Sequence, residues 1–338
     1  MAPGGPAVRE TVRGEADVFQ SNRNPHDHAE TVRAVAGSNE VARSPMAASW
    51  RRSLVHHRLD PAEDRDSLRL TAGELHHRRE ASGLLLRIAS PVLDRLASAA
   101  VEAGCAVFLT DGEGVIIDDR MGDADRTALF AADLSPGAVW SEAEEGTNAI
   151  GTCLAEKRPV IVYRNQHFRA RNARLSCTGA PVFGVEGDVE AVIDVSSARG
   201  DITEGHARLV AIAVQEAARR IERELFRAHF TGARILSVEG SDTTGPILLA
   251  VDRDDLILGA TRAARRSFGL TAEDIAARRP AGDLLGETAS GDLDEALRSE
   301  MLRALHRAGG NVSAAARDLR IGRATFYRKM RQLGLTEG

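Results

Sequence analysis

Lysine is nearly missing from this chain of 338 residues: Lys157 and Lys329 are the only two. A phosphate-binding P-loop requires Gly-Lys-Ser/Thr, so that the lysine can reach the β- and γ-phosphates. Lys157 follows Glu156 and Lys329 follows Arg328, so a P-loop motor is not expected. Cysteine is scarce too. Cys105, Cys153 and Cys177 make an odd number, which argues for a reducing cytosol over a disulfide framework. Aromatic residues amount to 4%, so the cores must be aliphatic and alanine-rich. No apolar run approaches the roughly 18 residues of a membrane span. The opening MAPGGPAVRE is proline, glycine and charge rather than a signal peptide. Together these absences point to a cytoplasmic protein without a membrane partner.

What is present is enough for two or three domains with real cores, given the length and a hydrophobic content of 43%. The clearest pattern is at the end, from Leu293 to Leu335. Leu293, Leu297, Leu302 and Leu305 place an apolar stripe on a first helix. Val312, Ala315, Ala316 and Leu319 do so on a second, and Phe326, Met330 and Leu333 on a third. Gly309-Gly310-Asn311 separates the first from the second, and Arg320-Ile321-Gly322 the second from the third. A supporting helix followed by two short ones across a tight turn describes a helix-turn-helix. From Arg303 to Leu335 there are eight basic residues against one acid, +7, on a chain of net −5, which leaves −12 for the rest. A basic module on an acidic body is the footprint of a DNA-binding end.

The stretch GGNVSAAARDLRIGRATFYRKMRQLGL resembles the Fis-type helix-turn-helix that ends many bacterial sigma-54-dependent regulators. Two positions depart from that pattern. Arg320 stands where glycine is usual, and a left-handed conformation there costs a side-chain-bearing residue about 1 kcal/mol. Gly322 stands where a serine usually opens the third helix, a loss of about a few tenths of a kcal/mol as an N-cap.

Upstream, residues 1–40 are polar and unpatterned and are expected to be disordered. A helical segment runs over 41–83, containing Ser49-Trp50-Arg51-Arg52-Ser53, a break at Leu59-Asp60-Pro61, and a capping-box spacing at Thr71 to Glu74. The pairs His56-His57 and His76-His77 point to different helix faces and lack metal-ligand geometry, so they read as helix surface. From 84 to 226 the order is a long amphipathic helix, a hairpin turning at Asp111-Gly112-Glu113-Gly114, and a short helix capped by Thr147. Three further strands follow, at 159–163, 175–183 and 188–195, then a long helix from Glu204 to Phe226. This is an α+β domain: an antiparallel sheet with packed helices. Residues 227–286 give strand, turn, strand, helix, and 287–338 hold the helix-turn-helix.

The middle region resembles a GAF domain, a small-molecule sensor fold. The resemblance rests on Trp140-Ser141-Glu142, Glu145-Gly146-Thr147-Asn148-Ala149-Ile150-Gly151-Thr152, Gln166-His167-Phe168, Ser176-Cys177-Thr178 and Ala180-Pro181-Val182. These are similar to the GAF domain of acetoin-regulator (AcoR)-type activators, as are Ser49–Ser53 and Leu59–Pro61. Those activators carry a large ATPase module between sensor and DNA-binding end, which has no counterpart in these residues. Residues 227–286 resemble the first half of a PAS domain and read as a truncated spacer and linker.

The resemblance implies that the effector meets the loops over the sheet, with Trp140, Glu145, Asn148, His167 and Cys177 as effector-binding candidates. On the third C-terminal helix Arg323, Ala324, Thr325 and Arg328 are expected at base edges, since residues near the N-terminus of a recognition helix meet bases. Tyr327, Lys329, Arg331, Arg317 and Asn311 are phosphate candidates. No cofactor, catalytic residue or metal is expected. The reading is a non-enzymatic, homodimeric, one-component transcriptional regulator that binds double-stranded DNA and a small organic effector, without ATPase activity. Its further partner is RNA polymerase or a full-length related activator. Two alternatives stay open. Cys105, Cys153, Cys177 and His167 suit a metal-, haem- or thiol-redox-sensing regulator, and a cysteine-dependent GAF enzyme such as a methionine sulfoxide reductase belongs to another class.

Overall fold

A computed structural model describes residues 25–238, 245–285 and 293–335. The chain divides into two compact units, Met1–Ala250 with Gly259–Thr271, and Val251–Leu258 with Ala272–Gly338.

In the first unit the β-branched runs pair as expected into one antiparallel sheet. Its strands are β1 (Ala106–Thr110), β2 (Ile116–Arg120), β3 (Val160–Tyr163), β4 (Ser176–Phe183) and β5 (Val189–Ser197), in the order β2-β1-β5-β4-β3. The period of two divides the sheet cleanly. Val107, Leu109, Ile193 and Val195 face one core, while Ala106, Phe108, Val192 and Cys177 face another.

The first core is closed by two long helices, Gly83–Ala100 and Glu204–His229, whose apolar stripes recur at helical spacing. Leu85, Ala89, Val92, Leu93 and Ala97 of the former meet Val214, Ala217, Ala218, Ile221 and Leu225 of the latter over the sheet. The second core is covered by a shorter helix, Ala149–Glu156, together with the segments that lead to and from it.

The segment preceding the sensor departs from expectation. Within residues 1–40, Pro25–Ala36 is a helix rather than disordered chain. Val32 and Val35 from this helix join Ala47, Trp50 and Phe168 in a small apolar cluster. Val32, Ala47, Trp50 and Phe168 are fully buried, and a buried Val or Phe contributes about 1.5–3 kcal/mol. The polar composition hid this because only one face of the helix is apolar. Residues 1–24 lie outside the described residues. Further along, the expected Thr71 capping box is formed: Thr71 Oγ1 accepts from the Glu74 N–H, and the Glu74 carboxylate accepts from the Thr71 N–H. Leu248–Val251 and Ile257–Ala260 are strands and Arg262–Phe268 a helix, in the order the sequence sets out.

The second unit holds the three C-terminal helices, Leu293–Arg307, Val312–Asp318 and Arg323–Gln332. Met301, Ala304, Ala315, Ala316, Phe326 and Met330 form their core. The first stripe differs from the expected one. Leu297 and Leu305 pack on this core, but Leu302 is 44% exposed, and Met301 and Ala304 take the inward positions. Spacing of i, i+4, i+7, i+8 from Leu297 keeps one face, and Leu302 falls off it. The Leu293 side chain lies outside the described residues. Among the described residues no helix is long and apolar enough to cross a membrane.

Candidate effector site and candidate DNA interface

The helix Ala149–Glu156 sets the geometry of the sensor site. Its N-cap is Asn148 rather than the expected Thr147: Asn148 Oδ1 accepts from the Gly151 N–H at 2.9 Å. Asn148 Nδ2 donates to the Gly146 carbonyl at 2.9 Å, so both ends of the amide are occupied. Gly151 is required by contact, because a Cβ there would stand 2.3 Å from the Glu142 nitrogen and 2.8 Å from the Trp140 oxygen. That close approach seats the Trp140–Glu145 stretch against the helix.

Thr147, freed from capping, turns its hydroxyl to Ser49 Oγ at 2.7 Å. Ser49 also donates to Glu142 Oε1 at 2.5 Å, and Thr152 Oγ1 donates to the same oxygen at 3.2 Å. Arg52 grips Glu142 with two donors: Nη2 lies 2.8 Å from Oε1, and Nε binds Oε2. Ser49, Thr147 and Thr152 are buried, and Glu142 is only 5% exposed. The Ser-Trp-Arg-Arg-Ser run is therefore a clasp on the sensor's loops. Trp50 Nε1 extends it, donating to the Gln166 carbonyl at 2.8 Å.

The five effector candidates occupy distinct surroundings. Trp140 is buried in the second core and its indole N–H donates to the Asp133 carbonyl at 3.1 Å. Glu145 is wholly buried. It accepts from Ser67 Oγ at 3.0 Å and from Arg171 Nη2 at 2.9 Å, and Arg169 Nε stands 3.5 Å away. His167 and Cys177 are brought together, with Nε2 3.3 Å from Sγ. His167 Nδ1 lies 2.9 Å from the Arg164 carbonyl, which can only accept, so Nδ1 carries the proton and Nε2 accepts from the thiol. Burial holds the His167 pKa down at about 4, so the ring is neutral.

His28 closes the arrangement from the N-terminal helix. Its Nε2 donates to the carbonyls of His167 at 3.0 Å and Phe168 at 3.3 Å. His28, Ser49, Arg52, Glu142, Thr147 and Arg169 all take part in this hydrogen-bonded arrangement, yet none stood among the effector candidates. The readable signal was the spacing of Ser49 and Ser53, four apart and so on one helix face.

Burial raises the pKa of Cys105, and that of Cys153 and Cys177 well above the usual thiol range. Reactive cysteines need surroundings that favour the thiolate, and these disfavour it. Among the described residues no group of three or more His, Cys, Asp or Glu is placed to hold a metal ion.

On the DNA-binding side, Arg320 takes the left-handed conformation at φ 54°, where the family pattern has glycine. Gly322 is the N-cap of the third helix and offers no side-chain bond. Phe326 and Met330 point inward, while Arg323, Ala324, Arg328 and Arg331 are exposed and Thr325, Tyr327 and Lys329 are half-buried. The Arg323 guanidinium lies 5.6 Å over the Tyr327 ring, which restrains it at the helix start. Arg317 and Asn311 are exposed. Asn311 is partly committed, since its Oδ1 caps the second helix by accepting from the N–H groups of Ser313 at 3.0 Å and Ala314 at 3.1 Å.

Residues 84–224 match the GAF domain, and residues 298–333 match the bacterial regulatory protein, Fis family. The chain therefore carries a GAF domain and a Fis-type helix-turn-helix. The acetoin catabolism regulatory protein of Cupriavidus necator is 33% identical over 222 residues, covering 64% of this chain and 33% of that protein. The acetoin dehydrogenase operon transcriptional activator AcoR of Bacillus subtilis is 30% identical over 157 residues, 46% of this chain and 25% of that one. The propane 2-monooxygenase operon transcriptional activator MimR of Mycolicibacterium smegmatis is 31% identical over 99 residues, 29% of this chain and 17% of that one. The chain spans a third or less of the length of these relatives.

Proposed function

We propose that the protein is a one-component transcriptional regulator of the bacterial cytoplasm, in which the GAF domain binds a small organic effector and the helix-turn-helix reads DNA. The observation that carries this is the third C-terminal helix. It buries Phe326 and Met330 and leaves Arg323, Ala324, Arg328 and Arg331 outward after a tight turn. That is the presentation a helix needs to enter a major groove, where arginine takes guanine bidentately.

A single module of this size buries little surface on DNA, so a homodimer reading two half-sites is the route to specificity. The long helices Gly83–Ala100 and Glu204–His229 are its interface. They leave Leu84 40%, Leu209 66% and Ile212 67% exposed, apolar area that a second copy covers at no polar cost. The effector acts where the clasp of Ser49 and Arg52 meets the loop at Glu142 to Thr152, and the neutral His167 with Cys177 belongs to that site.

None of these residues forms a P-loop, and the mechanism is binding without ATP hydrolysis. The protein works by contact with RNA polymerase or with a full-length related activator. Transcription reconstituted with purified components tests this: regulation is expected to persist without hydrolysable ATP at the regulator. ATPase activity in the purified protein, or a strict sigma-54 requirement with no partner activator, contradicts it.

A further inference from the structure

Arg323 opens the third C-terminal helix directly after its N-cap, Gly322. A cation there faces the positive end of the helix dipole, and no acid stands in the first turn to offset it. The arginine therefore destabilises the helix start, and it does not compensate by pairing. Among the described residues it makes no hydrogen bond and no ion pair. Its contact is the ring of Tyr327, one turn on, with the guanidinium carbon 5.6 Å from the ring centroid.

The spacing explains this contact. Residues four apart share a helix face, and helical side chains lean towards the N-terminus, so the Tyr327 ring leans towards Arg323. Tyr327 is half-buried and packs against the core that contains Met301, Phe326 and Met330. Its ring is a fixed platform that restrains the guanidinium laid on it. Gly322 and Ala324, on either side of Arg323, are exposed and carry at most a methyl group. The guanidinium is therefore open to a base edge, with its five N–H donors uncommitted among the described residues.

We propose that Tyr327 is a positioning residue for base reading: its ring, not its hydroxyl, holds Arg323 in the pose that takes O6 and N7 of a guanine in the major groove. This rests on the reading of the C-terminal module as DNA-binding, and adds a residue that sets specificity without touching a base. A flexible arginine reaches a phosphate or a mismatched acceptor almost as easily as guanine. One held in a single pose forms the bidentate pair at a lower ordering cost and loses the substitutes.

The phosphate role expected for Tyr327 uses its hydroxyl, and substitution separates the two roles. Tyr327→Phe keeps the ring and removes the hydroxyl. Tyr327→Leu keeps apolar packing on the core and removes the π face.

The test is selection of bound duplexes from a random DNA library with the full chain. Affinities are then measured for the enriched site and its single-base-pair variants over a range of salt. Arg323→Ala identifies the base pair that Arg323 reads, by abolishing preference there. Tyr327→Leu is expected to loosen preference at that same base pair about two- to fivefold. Other positions, and the slope of log affinity against log salt, are expected to stay as in wild type. Tyr327→Phe is expected to keep the wild-type preference, and Tyr327→Leu to add nothing in an Arg323→Ala background. Preference is a ratio of affinities within one protein, so partial unfolding does not imitate its loss. Wild-type preference in Tyr327→Leu, or no effect of Arg323→Ala at any base pair, overturns the inference. So does a loss in Tyr327→Phe that is even over all sequences with a shallower salt slope, which makes the residue a phosphate contact. Failure of the DNA-binding reading looks different: the wild type enriches no site, and the inference falls with it.

Discussion

Arg52 holds Glu142 through two N–H donors, and Ser49 from the same helical turn donates to the same carboxylate. Ninety residues separate Arg52 from Glu142. The pair joins the segment before the GAF domain to the loops over its sheet.

Removing one partner of a fully buried pair costs about 3–5 kcal/mol; here Glu142 is buried but the Arg52 side chain is 31% exposed, so solvent takes up part of that cost. Glu142→Ala, in which Ser49, Arg52 and Thr152 all lose their acceptor, should destabilise the sensor by less than that range. Arg52→Ala should cost less, since the two hydroxyls still serve the carboxylate. Urea unfolding of both variants measures the order. Equal and small losses contradict a clasp.

Glu222 on the second long helix accepts from the Phe183 N–H at 2.9 Å, and burial raises its pKa to about 7 from 4.5. A carboxyl whose pKa is raised in the folded state binds its proton more tightly there than in the unfolded chain. Its contribution is therefore full below about pH 4.5 and is lost as pH rises towards 7. A shift of that size corresponds to roughly 3 kcal/mol. Glu222→Gln keeps an oxygen acceptor and removes the titration. The stability difference between variant and wild type should grow between pH 5 and 7 in favour of the variant, and then level off. Parallel curves of melting temperature against pH would falsify the assignment.

The turn of the helix-turn-helix carries Arg320 at φ 54° and Gly322 as a cap without a side chain. Arg320→Gly relieves the left-handed strain and should stabilise the C-terminal unit by at most about 0.5 kcal/mol, net of glycine's chain entropy. Gly322→Ser supplies a capping hydroxyl and should add a few tenths of a kcal/mol. Thermal unfolding of residues 293–335 in the full chain, followed by amide exchange, reads both. A loss of stability in Arg320→Gly contradicts the strain.

Much of this molecule was legible from local pattern. The turn at Asp111 to Gly114, the Thr71 capping box and the stripe of the last long helix each depend on neighbours within one or two turns of chain, and all three appear where the periods place them. The helix-turn-helix was legible for the same reason. What escaped depended on distant partners. Pro25–Ala36 reads as polar, because its buried face is completed by Trp50 and Phe168. Thr147 has the residue type of a cap, but Asn148 occupies that position, and only the fold brings Ser49 to the spare hydroxyl. Asp194 stands beside the apolar Ala191, Val192, Ile193 and Val195 of its strand, and nothing local reveals that its carboxyl is buried with one oxygen unmatched. Sequence period identifies faces; it does not say which polar groups meet on them.

The outward face of the third C-terminal helix carries the account, and base selection by Arg328 tests it most directly. Selection of bound duplexes from a random DNA library should enrich a two-fold symmetric site with the wild-type protein. With Arg328→Ala, preference should relax at one base pair per half-site, at a cost of about 1–3 kcal/mol, and stay intact elsewhere. Enrichment of no symmetric site, or a loss of affinity spread evenly over all sequences, would contradict the account.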